Sequence, residues 1–249
     1  MIDIHAHILP GLDDGPSTWE DALALARAFV RAGYRAVVAT PHVVPGLYPN
    51  GRGLILERLG EARRRLAQEG IDLDLHPGAE YFLDPGLVPA LEAGELVTVN
   101  DAGRHLLVEL PSAEMPAFAR PVLFELAARG VTPVLAHPER QDYLARSRRL
   151  LEELAAGGVL LQVTCGSLTG MFGSGPRRCA DWLLRAGLAH YLATDAHVPG
   201  RRLAAAARAH QLLGERGQRL VEDNPRALLQ GRGPEGAREG GPAAGWAGG

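Results

Sequence analysis

At 249 residues with 46% hydrophobic side chains, the chain is long enough to bury a full core and is expected to form one domain. A formal net charge of −3, with a basic complement made wholly of arginine and no lysine, argues against a coat for nucleic acid. Two cysteines, Cys165 and Cys179, cannot build a disulfide framework and lack metal-ligand spacing. No apolar run approaches the ~18 residues of a membrane span, and no basic-then-apolar leader opens the chain, so a cytoplasmic location without membrane insertion is expected.

The chain begins M-I-D-I-H-A-H-I-L-P-G-L-D-D-G, a short apolar strand followed by a Gly-bounded loop. Side chains on a strand alternate faces, so the imidazoles of His5 and His7 are expected on one side. Asp13 or Asp14 can fold back toward them as an oxygen ligand, with Asp13 the better candidate for a turn or supporting role. Ser17-Thr18-Trp19-Glu20 reads as a capping box, and Ala22, Leu25, Ala26, Phe29 and Val30 recur at helical spacing up to Gly33.

A strand over 35–40 then runs into Pro41-His42, followed by a Pro- and Gly-rich connector and a charged helix over about 54–69. A strand over 71–76 leads through Pro77-Gly78-Ala79 to Glu80. A helix over 85–93 and a strand-like 96–99 come next, then a strand over 105–110 that carries Glu109. Three further strand–helix alternations follow. Strand 131–136 delivers His137-Pro138-Glu139-Arg140, strand 159–164 delivers Cys165-Gly166-Ser167, and strand 189–194 delivers Asp195-Ala196-His197. The intervening helices are expected over 117–129, 143–156 and 177–186, with others over 201–215 and 226–229. From Gly231 onward eight of nineteen residues are glycine, so 230–249 is expected to be a disordered tail after a domain spanning 1–229.

Seven β-then-α units with continuous apolar strands predict an α/β fold in which a parallel sheet closes, or nearly closes, into a barrel. Such barrels carry their chemistry at the C-terminal ends of the strands. His5, His7, His42, Glu80, Glu109, His137, Asp195 and His197 lie at or just past those ends, with Asp14 in the first loop, and all belong on one rim. Nine hard or borderline ligands are too many for one ion. Two or three divalent metals sharing a bridging carboxylate would satisfy them, with manganese, iron, magnesium or zinc favoured over copper. Paired metals can activate water and clamp phosphoryl oxygens, and arginine forks bind phosphate. Arg140, and Arg201 or Arg202 beyond His197, are placed to supply those forks.

The opening motif, Thr40-Pro41-His42, Gly78-Ala79-Glu80-Tyr81, Glu109-Leu110-Pro111, Ala136-His137-Pro138-Glu139-Arg140, T-C-G-S-L-T-G-M-F-G over 164–173 and Asp195-Ala196-His197 together resemble the PHP (polymerase and histidinol phosphatase) superfamily. More narrowly, they resemble its CpsB/CapC branch of bacterial metal-dependent protein-tyrosine phosphatases of capsule and exopolysaccharide synthesis. The resemblance covers about 1–229. It implies a distorted (β/α)7 TIM-like barrel with three divalent metals, usually manganese, with iron or zinc as alternatives.

By resemblance, one metal would take His5, His7, Glu80 and Asp195, a second Glu80, Glu109 and His137, and a third Asp14, His42 and His197. Arg140 and Arg202 would hold the phosphate, and a metal-bridging hydroxide would attack phosphorus. The implied substrate is phosphotyrosine on a protein, notably the tyrosine autokinase of polysaccharide assembly. Homo-oligomers are compatible with the sequence. Two departures stand out: Val198 follows the D-A-H triplet where the family often has asparagine, and Cys165 replaces a more usual alanine.

A cysteine phosphatase would need an arginine six residues after Cys165, where Met171 stands, so Cys165 reads as a small buried residue. Many dinuclear amidohydrolases need a carboxylated lysine, and the chain has none. A histidinol-phosphate or other small-molecule phosphoesterase of the PHP type is the alternative to the tyrosine phosphatase, and a non-catalytic metal-binding regulator is a third reading. His76, His105, His190 and His210 have no carboxylate partners in the pattern and read as strand-end or surface residues.

Overall fold

In the computed structural model, residues 1–111 and 113–235 are described. The strands are β1 (Ile2–Ala6), β2 (Ala36–Ala39), β3 (His42–Val43), β4 (Asp74–Pro77), β5 (Glu80–Phe82), β6 (His105–Glu109), β7 (Thr132–Ala136), β8 (Leu160–Thr164) and β9 (Tyr191–Ala193). All neighbours pair in parallel, as β1-β2-β4 and as β3-β5-β6-β7-β8-β9. Strand β2 continues into β3, and β4 into β5, each with a step that moves the second half into the other ladder. Pro41, which has no N–H to donate, lies at the first step. At the second step a Cβ on Gly78 would lie 2.6 Å from Val38 Cγ1, so only glycine lets the two strands pass this closely.

Strand β9 returns to β1 through the single bridge Ala6–Ala196, where the His7 N–H donates to Ala196 O and the Asp195 N–H to His5 O, both at 2.9 Å. Seven strand positions therefore run round a barrel distorted at the two steps and at this junction.

The helices are α1 (Trp19–Arg31), α2 (Arg52–Gln68), α3 (Leu87–Glu92), α4 (Ala119–Ala128), α5 (Asp142–Ala145), α6 (Arg148–Ala156), α7 (Cys165–Leu168), α8 (Ser174–Arg185), α9 (Arg201–Leu213), α10 (Glu215–Gln218) and α11 (Asn224–Leu229). Several boundaries differ from expectation. The α1 cap is Thr18, whose hydroxyl accepts from the Asp21 N–H, so the box is shifted by one from Ser17–Glu20. The expected strand at 96–99 is absent, because Asn100 and Asp101 both turn left-handed (φ 53°) and the segment ends in a 3-10 turn. The expected helix over 143–156 breaks at Ser147, which caps α6 through the Leu150 N–H. Helix α8 starts three residues early, and α7 forms where a loop was expected. Gln230–Glu235 fold back on the chain, Arg219 Nη2 donating to Glu235 O at 2.6 Å. The rest of the expected tail, 236–249, lies outside the described residues.

Alternation along the strands sorts the core into two layers. Val37, Ala39, Leu106, Val108, Leu135, Leu161, Val163 and Leu192 face outward to the helices. Ile4, Val38, Leu107, Val134, Ala136, Leu160, Tyr191 and Ala193 fill the barrel, closed below by Val99 and Leu228. Strand β1 has one residue too many for this alternation. Asp3 pairs with Val37 and Ala6 with Ala39, so three steps on β1 match two on β2. At this β-bulge Ile4 and His5 both face inward, the first as part of the apolar filling and the second toward the rim.

Candidate metal centre

Every residue singled out on the rim stands at the C-terminal end of the barrel. His5 is the last but one residue of β1 and His7 follows the strand; His42 opens β3, and Glu80 opens β5 beside it in register. Glu109 ends β6, and His137, Asp195 and His197 follow β7 and β9. Two of these, His137 (φ 34°) and Asp195 (φ 53°), adopt the left-handed conformation, a strain that non-glycine residues carry mainly at functional sites.

Glu80 is the centre of the group. Its Oε2 lies 3.1 Å from His5 Nε2, 3.3 Å from His7 Nε2 and 3.1 Å from His42 Nδ1, and its Oε1 lies 3.0 Å from His137 Nε2. Glu109 Oε1 is 3.8 Å from the same His137 nitrogen. Asp195 Oδ1 lies 3.5–3.6 Å from His5, His7 and His197. Asp14 Oδ1 approaches His197 Nε2 at 3.1 Å and His42 Nε2 at 3.7 Å.

Three overlapping sets thus bring ligand atoms within 4.8 Å of one another: His7, Asp14, His42 and His197; His5, His7 and Glu80; and His42, Glu80 and Glu109. Because His7, His42 and Glu80 each fall in two sets, the groups cannot be divided among well-separated ions. The overlap fits closely spaced cations with shared ligands.

Groups behind the cluster fix its tautomers. His5 Nδ1 donates to Gln162 Oε1 (2.8 Å), and His7 Nδ1 to Asp13 Oδ2 (2.7 Å). Each contact keeps a proton on the outer nitrogen and turns Nε2 into the centre, so that Nε2 is the nitrogen left to bind a metal. Asp13 Oδ2 also accepts the His42 N–H (2.8 Å), and Oδ1 the Gly15 N–H (2.9 Å). Asn50 ties the loops together by donating to Leu12 O and His42 O, and the Tyr48 ring stacks 5.8 Å from His42.

The electrostatics fit cations as well. Burial alone would raise the Glu80 carboxyl, yet His5, His137 and His7 hold it well below the usual carboxylate range. Burial opposes protonation of His7, but hydrogen bonds to Asp13 and Glu80 lift it to about 10. Burial and the Glu80 charge raise Glu109. Carboxylates this enclosed demand positive charge, which protonated imidazoles supply in the metal-free chain and which divalent cations would supply in exchange for those protons. Glu80 Oε2, despite its three imidazole neighbours, makes no well-formed hydrogen bond, and neither do the buried Nδ1 atoms of His42 and His137. A hard or borderline divalent cation is what this set of oxygens and imidazole nitrogens fits.

Two arginines flank the cluster. Arg140 Nη1 and Arg202 Nη1 both donate to Asp195 Oδ2, and Arg202 Nη1 also contacts the Asp195 carbonyl. Arg201, the other sequence candidate, is exposed and stays outside this arrangement. The Arg140 and Arg202 side chains are 28% and 26% exposed, so donors remain for a tetrahedral oxyanion beside the cluster.

Sequence reasoning did not find Gln162, a lone amide in the apolar strand L-L-Q-V-T, or Asp3, whose carboxylate accepts the His5 and Thr194 N–H groups on the outer side of β1. Nor did it find Glu139, fully buried, which accepts from the Thr164 N–H (2.9 Å) and the Ser167 hydroxyl (2.7 Å). For Gln162 the available signal was a polar residue inside an apolar strand. His76, His105 and His190 lie at the opposite end of the barrel. Burial pushes His105 and His190 down to about 4, and His190 Nδ1 accepts the Leu161 N–H. Cys165 is fully buried, which raises its thiol well above the ordinary value and makes it inert as a nucleophile. Tyr81 belongs to the core, its hydroxyl accepting the Val97 N–H at 2.7 Å.

Comparison with known proteins matches residues 1–230 to a family model described as capsular polysaccharide synthesis, CpsB/CapC. The chain is 38% identical over 197 residues to the tyrosine-protein phosphatase YwqE of Bacillus subtilis, covering 79% of this chain and 77% of that one. It is 29% identical over 239 residues to the tyrosine-protein phosphatase CpsB of Streptococcus pneumoniae, covering 92% and 98%. Among solved structures, one described under YwqE from B. subtilis and CpsB from S. pneumoniae, unique metal-dependent tyrosine phosphatases, superposes with a TM-score of 0.88 at 33% identity, covering 98% of this chain and 99% of that one. A histidinol phosphate phosphatase from Lactococcus lactis shares the fold at 14% identity, with a TM-score of 0.54 over 86% of this chain and 93% of that one.

Proposed function

The chain belongs to the CpsB/CapC family, and from that premise we propose that it is a metal-dependent protein-tyrosine phosphatase that removes phosphate from tyrosines of the autokinase of capsule or exopolysaccharide assembly. The observation that carries this reading is Glu80, one buried carboxylate facing four imidazoles, with two arginine forks drawn to Asp195 beside it.

His5, His7, Asp14, His42, Glu80, Glu109, His137, Asp195 and His197 would hold three divalent ions, with manganese the first choice and iron or zinc the alternatives. Bound there, such ions would lower the pKa of water toward ~7 and neutralise charge on a phosphoryl group. The chain's own contribution is orientation. Gln162 and Asp13 hold the His5 and His7 lone pairs inward. Arg140 and Arg202 bind phosphoryl oxygens in bidentate fashion, their spacing set by the shared Asp195 carboxylate. The phenol of tyrosine, with a pKa near ~10, leaves as phenolate more readily than an alkoxide would.

We place this action in the cytoplasm, on an exposed segment of the partner; among the described residues no helix is long and apolar enough to cross a membrane. The test is to strip the protein with a chelator and measure phosphate release from a phosphotyrosine peptide, a phosphoserine peptide and histidinol phosphate, adding back manganese, iron or zinc. Metal-dependent release from the phosphotyrosine peptide alone is expected. Release mainly from histidinol phosphate would overturn the substrate assignment, and release unaffected by chelation would overturn the metal chemistry.

A further inference from the structure

The loop over 164–173 joins β8 to α8 and passes along the rim without supplying a candidate ligand. Its Phe172 ring meets both arginines: the guanidinium carbon of Arg140 lies 4.5 Å from the ring centroid and that of Arg202 5.7 Å. Two cations that would otherwise repel are therefore gathered by one carboxylate oxygen, Asp195 Oδ2, and one aromatic ring.

The ring is itself held in place. A Cβ on Gly166 would lie 2.8 Å from Phe172 Cε2 and 3.1 Å from Met171 Sδ, so the bare backbone at 166 provides the seat for this segment. The loop is closed by the Met171 N–H donating to Gly166 O (2.9 Å) and the Gly170 N–H to Ser167 O (3.0 Å), with Gly170 and Gly173 in left-handed conformations (φ 81° and 95°). Glu139 fastens the start of the loop through Thr164 and Ser167, and the next residue in the chain is Arg140. Adjacent residues thus grip the two ends of one unit: Glu139 holds the loop, and the loop's phenylalanine holds Arg140.

We propose that Phe172 is a positioning residue, whose ring, seated on Gly166, sets the Arg140 and Arg202 guanidinium groups together in the orientation that receives one phosphoryl group. The inference rests on the reading above that these arginines bind phosphate. An arginine side chain has many rotamers to lose, so restraining two forks before the ligand arrives favours binding without adding a contact to it.

Inorganic phosphate is the probe, titrated calorimetrically into the metal-loaded full chain, with bound metal measured on the same samples. Phe172→Leu keeps apolar bulk but removes the π face. It is expected to weaken phosphate binding about ten-fold, equivalent to about 1.4 kcal/mol, and to lower kcat/KM for a phosphotyrosine peptide similarly, with metal content unchanged. Phe172→Tyr is expected to restore binding to within about two-fold. Gly166→Ala, which would drive the ring from its seat, should reproduce the defect and serves as the second variant should Phe172→Leu not fold.

In an Arg140→Gln, Arg202→Gln background, Phe172→Leu should add no further loss. Wild-type phosphate affinity in both Phe172→Leu and Gly166→Ala, or an undiminished ten-fold loss in the arginine-free background, would overturn the inference. If the arginine double variant itself binds phosphate like the wild type, the reading of the arginines is at fault. If that variant weakens binding while the Phe172 and Gly166 variants do not, the role given to Phe172 fails alone.

Discussion

Asp13→Asn perturbs the site without replacing a proposed ligand. The Asp13 side chain is fully buried and accepts from His7 Nδ1 (2.7 Å), the His42 N–H (2.8 Å) and the Gly15 N–H (2.9 Å), so one carboxylate aligns two imidazoles from different strands. Asparagine offers one oxygen. If it faces His7 and His42, the new NH2 meets the Gly15 N–H; if it is flipped, the NH2 meets both of the others, donor against donor. Hydrogen bonds to a charged acceptor contribute roughly 1.5–3 kcal/mol, and removing such a support behind a metal-binding histidine costs about 10–100-fold in metal affinity. We therefore expect Asp13→Asn to bind divalent metal about 10–100-fold more weakly in competition with a chelator of known affinity. Phosphatase activity should recover to within about ten-fold when metal is raised to saturation. Metal affinity within two-fold of the wild type would refute the reasoning. So would complete loss of activity with full metal occupancy, because Asp13 would then act on the reaction itself.

Glu80→Gln removes the charge shared by four imidazoles, and metal analysis after dialysis should find the loss of at least one bound ion, with activity reduced ~100-fold or more at any metal concentration. Asp3 offers a pH test. Burial lifts its carboxyl to about 6, against hydrogen bonds from Thr194 and His5, so the folded state binds the proton more tightly than the unfolded chain does. Its contribution is therefore fully present below about pH 4 and is lost as pH rises toward 6, by about 3 kcal/mol in the metal-free protein. Asp3→Asn should flatten urea-unfolding stability between pH 4 and 6, and a profile parallel to the wild type would rule this out. Leu107→Ala, inside the barrel at 1% exposure, should cost about 2–5 kcal/mol in the same assay.

The alternation of strands and helices was legible because buried parallel strands leave continuous apolar runs, and it was enough to place His5, His42, Glu80, Glu109, His137 and Asp195 on one rim. The steps after β2 and β4 were visible only as Pro41 and Gly78 at strand exits. Their effect, moving β3 and β5 into a second ladder, depends on how closely Val38 approaches from the neighbouring strand. The bulge in β1 left no local mark either, since I-D-I-H-A-H alternates evenly as text and the extra residue appears only against the register of β2. Gln162 escaped notice, and Phe172 stood only as one letter of the motif over 164–173, for a related reason. Each matters through the end of a side chain that meets a partner far away in the chain, and composition carries no record of that meeting.

The bulge places an oily stopper directly beneath a knot of charge. Ile4, 1% exposed, lies with Val38, Leu107 and Val134 below His5, and no water can solvate the centre from that side. Exposure then grows outward: the His5, His7 and Glu80 side chains are sealed, His197 and His42 stand at 13% and 17%, and Asp14 at 54%. Traffic through such a blind well has one direction. On the proposed ligand sets, a cation at Asp14, His42 and His197 would be the first to exchange with solution, and one at His5, His7 and Glu80 would leave only after it, so chelation is expected to strip metal in layers from the mouth downward.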